Sequence, residues 1–571
     1  MQLTIPSLRD SPSGKELVVN GRPFLIRGAE LQNSSMSSTD YMEEVWPKLA
    51  AASVNTVLGS VSWEMIEPKE GTFVFDELDS VILGARSHGL HLILLWFGSF
   101  KNGLSTYAPG WVKKDLKRFP RAKLRKVGGV LQVADVLSIF HAEPWKADAR
   151  AFKSLMQHLK EFDESHSTVI MVQVENEVGI LGDSRDSSSA ADDCFRSAVP
   201  QQLIDALNTN WHILHPTLRE NLQDFKSLSR EDSNKSWESV FGRSNQTDEI
   251  FMAYHYALYL EEVAAAGKHA YPIPLFTNVW QSYVGEDSDN DFPVVVGGGG
   301  DPGDYPSGGG VINVLDIWRY FAPTLDFVAP DIYLNDYASS CAKYRHLNQP
   351  LFIPEQRRDE YGARRIWIAY GNYQCLGTAP FGMDTLEVDE NPFKKHYGLL
   401  AKVSFHVLAA QRKPGTSIGF CFDEPNGTGK SLPVVSVVFG TWKLEIERSF
   451  VFGKAGPGFG MIIHLEAARF LLIGEGFQVK FASTDPAVVF VGLLNFVEKE
   501  VVNETTGEMR SGRTFGGDET RSGAAAVMPG EDPDYGDFPI SITIPAKTRI
   551  AECEVYALKG EGAGEEEFSL N

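Results

Sequence analysis

The feature that most constrains this chain is a repeated alternation of continuously apolar runs with helical stripes. A strand buried on both faces reads as an unbroken apolar run, whereas a half-exposed strand alternates. Leu90–Phe97 and Val169–Val174 are runs of the first kind, and Asn55–Val61, Pro274–Thr277, Phe327–Ala329 and Pro350–Ile353 repeat the signal. Strands beginning after residues 26, 54, 89, 168, 272, 326 and 349, with one more near Cys375–Phe381, make eight. Helical patterns lie between them. Leu78, Val81, Ile82 and Ala85 form one stripe, with Gly89 placed to end it. Others run over 145–160, 249–266, 312–321 and 337–346. Asp40 and Glu43 have capping-box spacing before Val45, Trp46 and Leu49, although Pro47 interrupts that helix. Eight strand–helix units over roughly 390 residues predict an α/β fold, a (β/α)8 TIM barrel with long loops.

Ahead of the first unit, Lys15–Val19 and Arg22–Ile26 flank Asn20-Gly21, a two-residue hairpin turn signal. Beyond Pro414 the pattern changes to short β-rich runs: Val434–Phe439, Lys443–Glu447, Met461–Leu465, Phe470–Ile473, Gln478–Phe481, Val488–Leu494, Ile540–Ile544 and Cys553–Leu558. These predict an all-β sandwich or jelly roll. The stretch 503–537, rich in Gly, Asp, Glu and Arg, reads as a loop. The 571 residues thus divide into a barrel with its hairpin, 1–413, and a β domain, 414–571.

Composition excludes several classes. Lys and Arg number 53 against 75 Asp and Glu, a net charge of −22, which disfavours phosphate backbones as partners. Five cysteines stand at 194, 341, 375, 421 and 553, without CxxC or zinc spacing, and read as reduced thiols. The N-terminus has no apolar core of signal-peptide length, and no apolar stretch is long enough to span a bilayer. The expectation is a cytoplasmic protein that contacts neither membrane nor nucleic acid and needs no cofactor or metal. The sequons at Asn33, Asn234, Asn245, Asn426 and Asn503 read as chance.

A barrel carries its chemistry where its strands end at their carboxyl side. Two glutamates follow apolar strands there: Glu177 in Val172-Gln-Val-Glu-Asn-Glu-Val-Gly179, at the fourth strand, and Glu355 in Pro350-Leu-Phe-Ile-Pro-Glu-Gln356, at the seventh. Two carboxyl groups facing each other across a barrel mouth are what glycoside hydrolysis requires. One protonates the leaving oxygen, and the other attacks the anomeric carbon or activates water. Either glutamate alone reads rather as a strand-end ion pair; the two together, at strands four and seven, read as a catalytic pair.

Gln173-Val-Glu-Asn-Glu-Val-Gly179 resembles the Gln-Val-Glu-Asn-Glu-Tyr-Gly motif of family 35 β-galactosidases, retaining glycosidases built on a barrel. Val19–Gly28, Asn55–Glu64 with Glu67-Pro68 and Gly71-Thr-Phe, Ala329-Pro-Asp-Ile-Tyr333 and Ala379-Pro-Phe-Gly-Met-Asp384 are similar to further strands of that family, in its bacterial-type branch. The likeness covers residues 15 to about 410, with Val178 in place of the common Tyr. It implies a double-displacement mechanism, with Glu177 as general acid/base and Glu355 as nucleophile. Asn176 would bind the sugar 2-hydroxyl and Tyr333 would orient the nucleophile. Glu30 would accept from the C3 and C4 hydroxyls, or else pair with Arg27. Asn33, Trp63, Glu64, Trp96, Trp280 and Phe381 complete the expected substrate contacts, the tryptophans by stacking on the sugar or merely by packing at the rim. The glycine-rich stretch around Asp301–Ser307 reads either as the rim of the site or as a surface insertion.

Gly427-Thr-Gly-Lys-Ser431 resembles the end of a phosphate-binding loop, but Glu424 stands where the first glycine belongs. His255 lacks a zinc-spaced partner and reads as core. The expected function is an exo-acting retaining β-galactosidase acting on galactosyl oligosaccharides. Competing readings are a barrel glycosidase of other specificity, β-glucosidase or exo-glucosaminidase, and a catalytically silent carbohydrate-binding protein. A homo-oligomer is compatible with the sequence.

Overall fold

Eight parallel strands follow one another as the alternation predicts: β1 (Ile26–Glu30), β2 (Thr56–Ser62), β3 (His91–Lys101), β4 (Val169–Asn176), β5 (Leu275–Trp280), β6 (Phe327–Asp331), β7 (Ile353–Gln356) and β8 (Gly377–Pro380). The computed structural model describes residues 4–222, 225, 235–283, 299–424, 433–449, 456–533 and 543–560. The Gly427–Ser431 stretch, the sequons at Asn234 and Asn426, residues 297–298 of the glycine run and residues 540–542 of an expected strand lie outside the described residues.

The hydrogen-bonded order is β6-β5-β4-β3-β2-β1-β8-β7. A parallel bridge between Ile332 and Gln356, with Ile332 N donating to Glu355 O at 2.9 Å, joins β6 to β7 and closes the barrel. Inside, Leu58, Ile93, Leu95, Ile170, Phe276, Phe327 and Phe352 share one core, which Leu17 and Val19 join from the N-terminal hairpin. Asn20 (φ 51°) and Gly21 (φ 73°) turn that hairpin as their dipeptide predicts. Each large apolar side chain buried in this way contributes about 1.5–3 kcal/mol.

Helices α1 (Thr39–Ala51), α2 (Asp76–Ser87), α3 (Ala142–Asp163), α4 (Asn245–Ala270), α5 (Leu315–Phe321) and α6 (Tyr337–Tyr344) occupy the expected places. Two local readings need correction. The cap of α1 is Ser38, whose hydroxyl accepts from Tyr41 N, rather than Asp40, and Pro47 is accommodated within the helix. At the end of α2 the prediction holds. Gly89 N donates to Arg86 O at 3.1 Å and Leu90 N to Ala85 O at 3.0 Å, the paired bonds of a Schellman stop. His255 packs against Phe140, Phe251 and Trp237, as a core histidine does.

The chain divides into two compact units. One comprises residues 1–10, 14–358 and 375–391, and the other 11–13, 359–374 and 392–571. The helices that follow β7 and β8, α7 (Glu360–Asn372) and α8 (Phe393–Gln411), therefore group with the second unit, whereas the sequence reading set the division at residue 413.

The rest of the second unit is antiparallel β. Its strands are β9 (Ser417–Phe422), β10 (Val435–Phe439), β11 (Trp442–Arg448), β12 (Gly458–Glu466), β13 (Arg469–Glu475), β14 (Phe477–Ser483), β15 (Val488–Asn503), β16 (Glu508–Thr514), β17 (Ala526–Met528) and β18 (Ile550–Lys559). They form a six-stranded sheet, β9-β12-β13-β18-β15-β16, and a four-stranded one, β10-β11-β14-β17. Phe420, Phe470 and Leu472 of the first sheet and Leu444, Ile446 and Val479 of the second share one core. The expected loop at 503–537 is overturned over residues 508–514 and 526–528. β16 pairs antiparallel with β15, and β17 adds to the four-stranded sheet. Among the described residues all five cysteines are free, and no helix is long and apolar enough to cross a membrane.

Candidate active site

The carboxyl ends of β1, β3, β4, β5, β6 and β7 bring one set of polar side chains together. At β4 the backbone is bent sharply: Glu175 has φ 60° and Glu177 φ 42°, a region that non-glycine residues enter at a cost of about 1 kcal/mol or more each. The surroundings enforce it. Glu175 accepts from Ser99 N at 2.9 Å and Phe100 N at 2.7 Å, so this glutamate is bonded to the backbone of the neighbouring strand. Glycine at 98 permits the approach, since a Cβ there would lie 2.5 Å from Glu175 Oε1 and 2.3 Å from Trp96 Nε1. Glu177 N donates to Asn278 Oδ1 at 2.9 Å, which fixes the acid motif to the end of β5.

The same Asn278 reaches the opposite carboxylate. Its Nδ2 lies 3.2 Å from Glu355 Oε1 and 2.9 Å from Asp331 Oδ2. The Tyr333 hydroxyl donates to Glu355 Oε2 at 2.8 Å. One carboxylate oxygen from each of Glu177, Asp331 and Glu355 lies within 4.8 Å of the others, and all three residues are buried, Glu177 at 6% and Glu355 at 7% exposure. Among the described residues this is the one carboxylate or histidine cluster close enough to hold a metal ion. The Asn278 and Tyr333 donors already directed at Asp331 and Glu355 suit proton and nucleophile chemistry better than cation binding.

Burial and the Glu355 charge raise the Glu177 pKa to about 7, although Lys101 works against them. Burial also holds Asp331 well above the usual carboxylate range, and the Glu355, Glu177 and Glu30 charges add to it. Glu30 is raised for the same reasons, burial first and Glu355 next. Burial opposes the Lys101 charge, but Glu355, Glu177, Glu30 and Asp331 together hold its ammonium above the ordinary value. A buried acid that keeps its proton near neutrality, opposite a carboxylate held by two donors, is the division of labour that acid-assisted displacement needs.

Glu177, Glu355, Asn176, Tyr333 and Glu30 stand at the strand ends that form this site. Asn176 is fully buried and both ends of its carboxamide lack a protein partner, as does Glu30 Oε2. Glu30 forms a parallel bridge with the half-buried Phe381, and Trp280, half-buried, stands in register with Asp331 at the mouth. Other expectations are corrected. Trp96 is fully buried in the wall, where its Nε1 donates to Asp148 of α3 at 2.9 Å and its ring meets Phe152. Trp63 is fully buried too, donating to Glu67 at 2.7 Å and packed edge-on to Trp111. Neither has a face to offer a sugar. Glu64 pairs with Lys113 at 2.9 Å, and Asn33 is half-buried with its carbonyl bonded to Ser60. The glycine-rich stretch is tied to the acid motif through paired backbone bonds between Ile180 and Ser307.

Sequence reasoning missed Asn278, Lys101 and the part played by Asp331. Asn278 directly follows an expected strand, and Lys101 precedes Asn102-Gly103, a turn signal after the longest apolar run. Those positions could have marked both residues.

Residues 35–215 match the family 42 glycoside hydrolase model described as Beta-galactosidase, a stretch that includes Asn176 and Glu177 and ends before Glu355. Residues 393–526 match a model described as a domain of unknown function (DUF5597). A comparison with curated proteins gives no match. Among solved structures, the chain is similar to the β-galactosidase of Bacillus circulans sp. alkalophilus, at 14% identity and a TM-score of 0.43, over 68% of this chain and 57% of that one. It is also similar to the β-galactosidase of the haloarchaeon Halorubrum lacusprofundi, at 14% identity and 0.44, over 66% and 58%. A third is the catalytic domain of a β-amylase from Paenibacillus polymyxa, at 10% and 0.42, over 65% and 97%. The chain spans less than two thirds of the length of the β-galactosidases it matches. The stretch that carries the acid motif is thus similar to glycoside hydrolases of the β-galactosidase type, with family 42 indicated where the motifs resemble family 35.

Proposed function

We propose that this chain is a retaining, exo-acting β-galactosidase that removes terminal β-D-galactosyl residues from oligosaccharides by double displacement. The observation that carries the proposal is the approach of one Glu177 carboxylate oxygen to within 4.8 Å of one of Glu355. Retaining glycosidases hold their two carboxyl groups about 5–5.5 Å apart, whereas inverting ones leave about 6.5–9.5 Å for a water. The match of residues 35–215 to a β-galactosidase model supports the choice of sugar.

In this reading Glu177, kept protonated by burial, gives its proton to the glycosidic oxygen while Glu355 attacks the anomeric carbon. The covalent intermediate is then hydrolysed by a water from which Glu177 takes a proton. Tyr333 and Asn278 hold Glu355 in line. Asn176, with neither end of its carboxamide engaged, meets the sugar 2-hydroxyl, a contact that strengthens in the transition state.

The test is turnover of aryl β-galactoside, β-glucoside and β-N-acetylglucosaminide, with the first-formed anomer followed by proton NMR. Preferred cleavage of the galactoside with release of the β-anomer supports the proposal. Preference for another sugar overturns the specificity, and release of the α-anomer overturns the mechanism.

A further inference from the structure

Lys101 is the last residue of β3 and stands in register with Asn176 on β4. Its position is fixed by the turn that follows. Asn102 (φ 53°) and Gly103 (φ 65°) both take the left-handed conformation that an Asn-Gly hairpin turn requires. Lys101 N donates to Leu104 O at 2.7 Å, Leu104 N returns the bond to Lys101 O at 2.9 Å, and Gly103 N donates to Glu177 O at 3.1 Å. The turn is therefore docked on the acid motif.

Lys101 is half-buried, and among the described residues no carboxylate lies within ion-pair distance, 4.0 Å, of its ammonium, and none accepts a hydrogen bond from it. Its Nζ lies over the Phe97 ring, 5.0 Å from the centroid. Lysine carries three donors, so an ammonium at the mouth without a protein acceptor has them to offer to a ligand. Glu30 Oε2 and both ends of Asn176 are left without protein partners in the same mouth.

We propose that Lys101 is a sugar-binding residue whose ammonium donates to a ring hydroxyl that in turn donates to Glu30. The proposal rests on the glycosidase reading of this site. Lysine only donates and a hydroxyl both accepts and donates, so one hydroxyl can accept from Lys101 and still donate to the unpartnered oxygen of Glu30. An anionic substituent would gain from Lys101 but would face Glu355, Glu30 and Asp331 together. The ligand class is consequently a neutral, hydroxyl-bearing pyranose. The bond would give Lys101 a selective role, because a sugar that fills the mouth without the matching hydroxyl cuts the ammonium off from water and gives it no acceptor in return.

The experiment compares wild type, Lys101→Met and Lys101→Gln on an aryl β-galactoside and on three analogues lacking the hydroxyl at C3, C4 or C6. Thermal melts establish that the variants fold. The expected result is a loss of kcat/KM of about 10- to 100-fold for Lys101→Met on the parent sugar. That penalty should shrink to within about threefold on one of the analogues, and Lys101→Gln should recover part of it, since its amide still donates. An equal penalty on all three analogues, or none on the parent, overturns the contact. Wild type that cleaves another aryl glycoside but no β-galactoside contradicts the galactosidase reading instead. The same comparison on the sugar it does cleave then decides Lys101.

Discussion

The Tyr333 hydroxyl lies 2.8 Å from Glu355 Oε2 and spans the gap between the ends of β6 and β7. Burial and the surrounding carboxylates, Glu355 first among them, hold that hydroxyl well above its ordinary pKa, so it remains a donor at any working pH. The bond orients the carboxylate without competing for its charge. Tyr333→Phe should lower kcat about 10- to 100-fold with little change in KM, because the lost bond acts on the reacting group and not on the bound sugar. Steady-state kinetics on an aryl β-galactoside check this.

The acid titrates in the physiological range. Glu177 works as general acid only while protonated, and its pKa is raised to about 7. kcat/KM should therefore fall as pH rises through about 7, one decade per unit beyond it. Removing the opposing Lys101 charge should move that limb upward, since Lys101 lowers the Glu177 value. A pH profile of wild type and Lys101→Met gives both readings.

The indole of Trp96 is bonded to Asp148 and packed on Phe152, outside the site. Trp96→Phe should accordingly destabilise the fold by about 1–3 kcal/mol, by stranding a buried carboxylate acceptor, and leave KM within about twofold. Trp280, half-buried at the strand end beside Asp331, should behave in the opposite way, with Trp280→Ala raising KM and changing stability little. Denaturant melts beside kinetics separate the two.

The barrel was legible because strands buried on both faces must be continuously apolar, and Glu177 and Glu355 because they follow such strands directly. What stayed hidden has physical reasons. In a strand, one step along the chain exchanges lumen for outer wall, so a tryptophan at a strand end reads alike in either place. Trp96 lies inside β3 with its indole toward α3 for that reason, whereas Trp63 opens a short helix, Trp63–Ile66, that directly follows β2. β7 is assigned three residues later than expected, Ile353–Gln356, although Leu351 O already accepts from Leu376 N at 2.8 Å ahead of it. β16 is exposed along most of its length at the sheet edge, so it carries no hydrophobic signal and its glycine and charge read as loop. Asn278 and Lys101 look like turn residues until the barrel brings their ends together.

Stability should carry its own pH signature through Glu249. Burial raises this carboxyl from 4.5 to about 7, although Tyr305 and Asn313 donate to it. Below about pH 4.5 it is protonated in both folded and unfolded chains. Between about 4.5 and 7 the unfolded chain releases the proton and the folded one keeps it, so stability declines as pH rises, by on the order of 3 kcal/mol once both have titrated. Glu249→Gln mimics the neutral form. Its stability relative to wild type should rise from pH 5 to pH 8 in calorimetry, whereas a pH-independent difference would exclude this role.

The central claim is that Glu355 attacks the sugar while Glu177 supplies the proton. A 2-deoxy-2-fluoro galactosyl fluoride slows the second displacement and leaves the sugar on the nucleophile, so peptide mass spectrometry of the labelled protein reads the assignment directly. The account predicts stoichiometric labelling on the peptide containing Glu355, absent in Glu355→Gln. Labelling at Glu177, Asp331 or Glu30, or full turnover of the reagent with no labelled peptide, would contradict it.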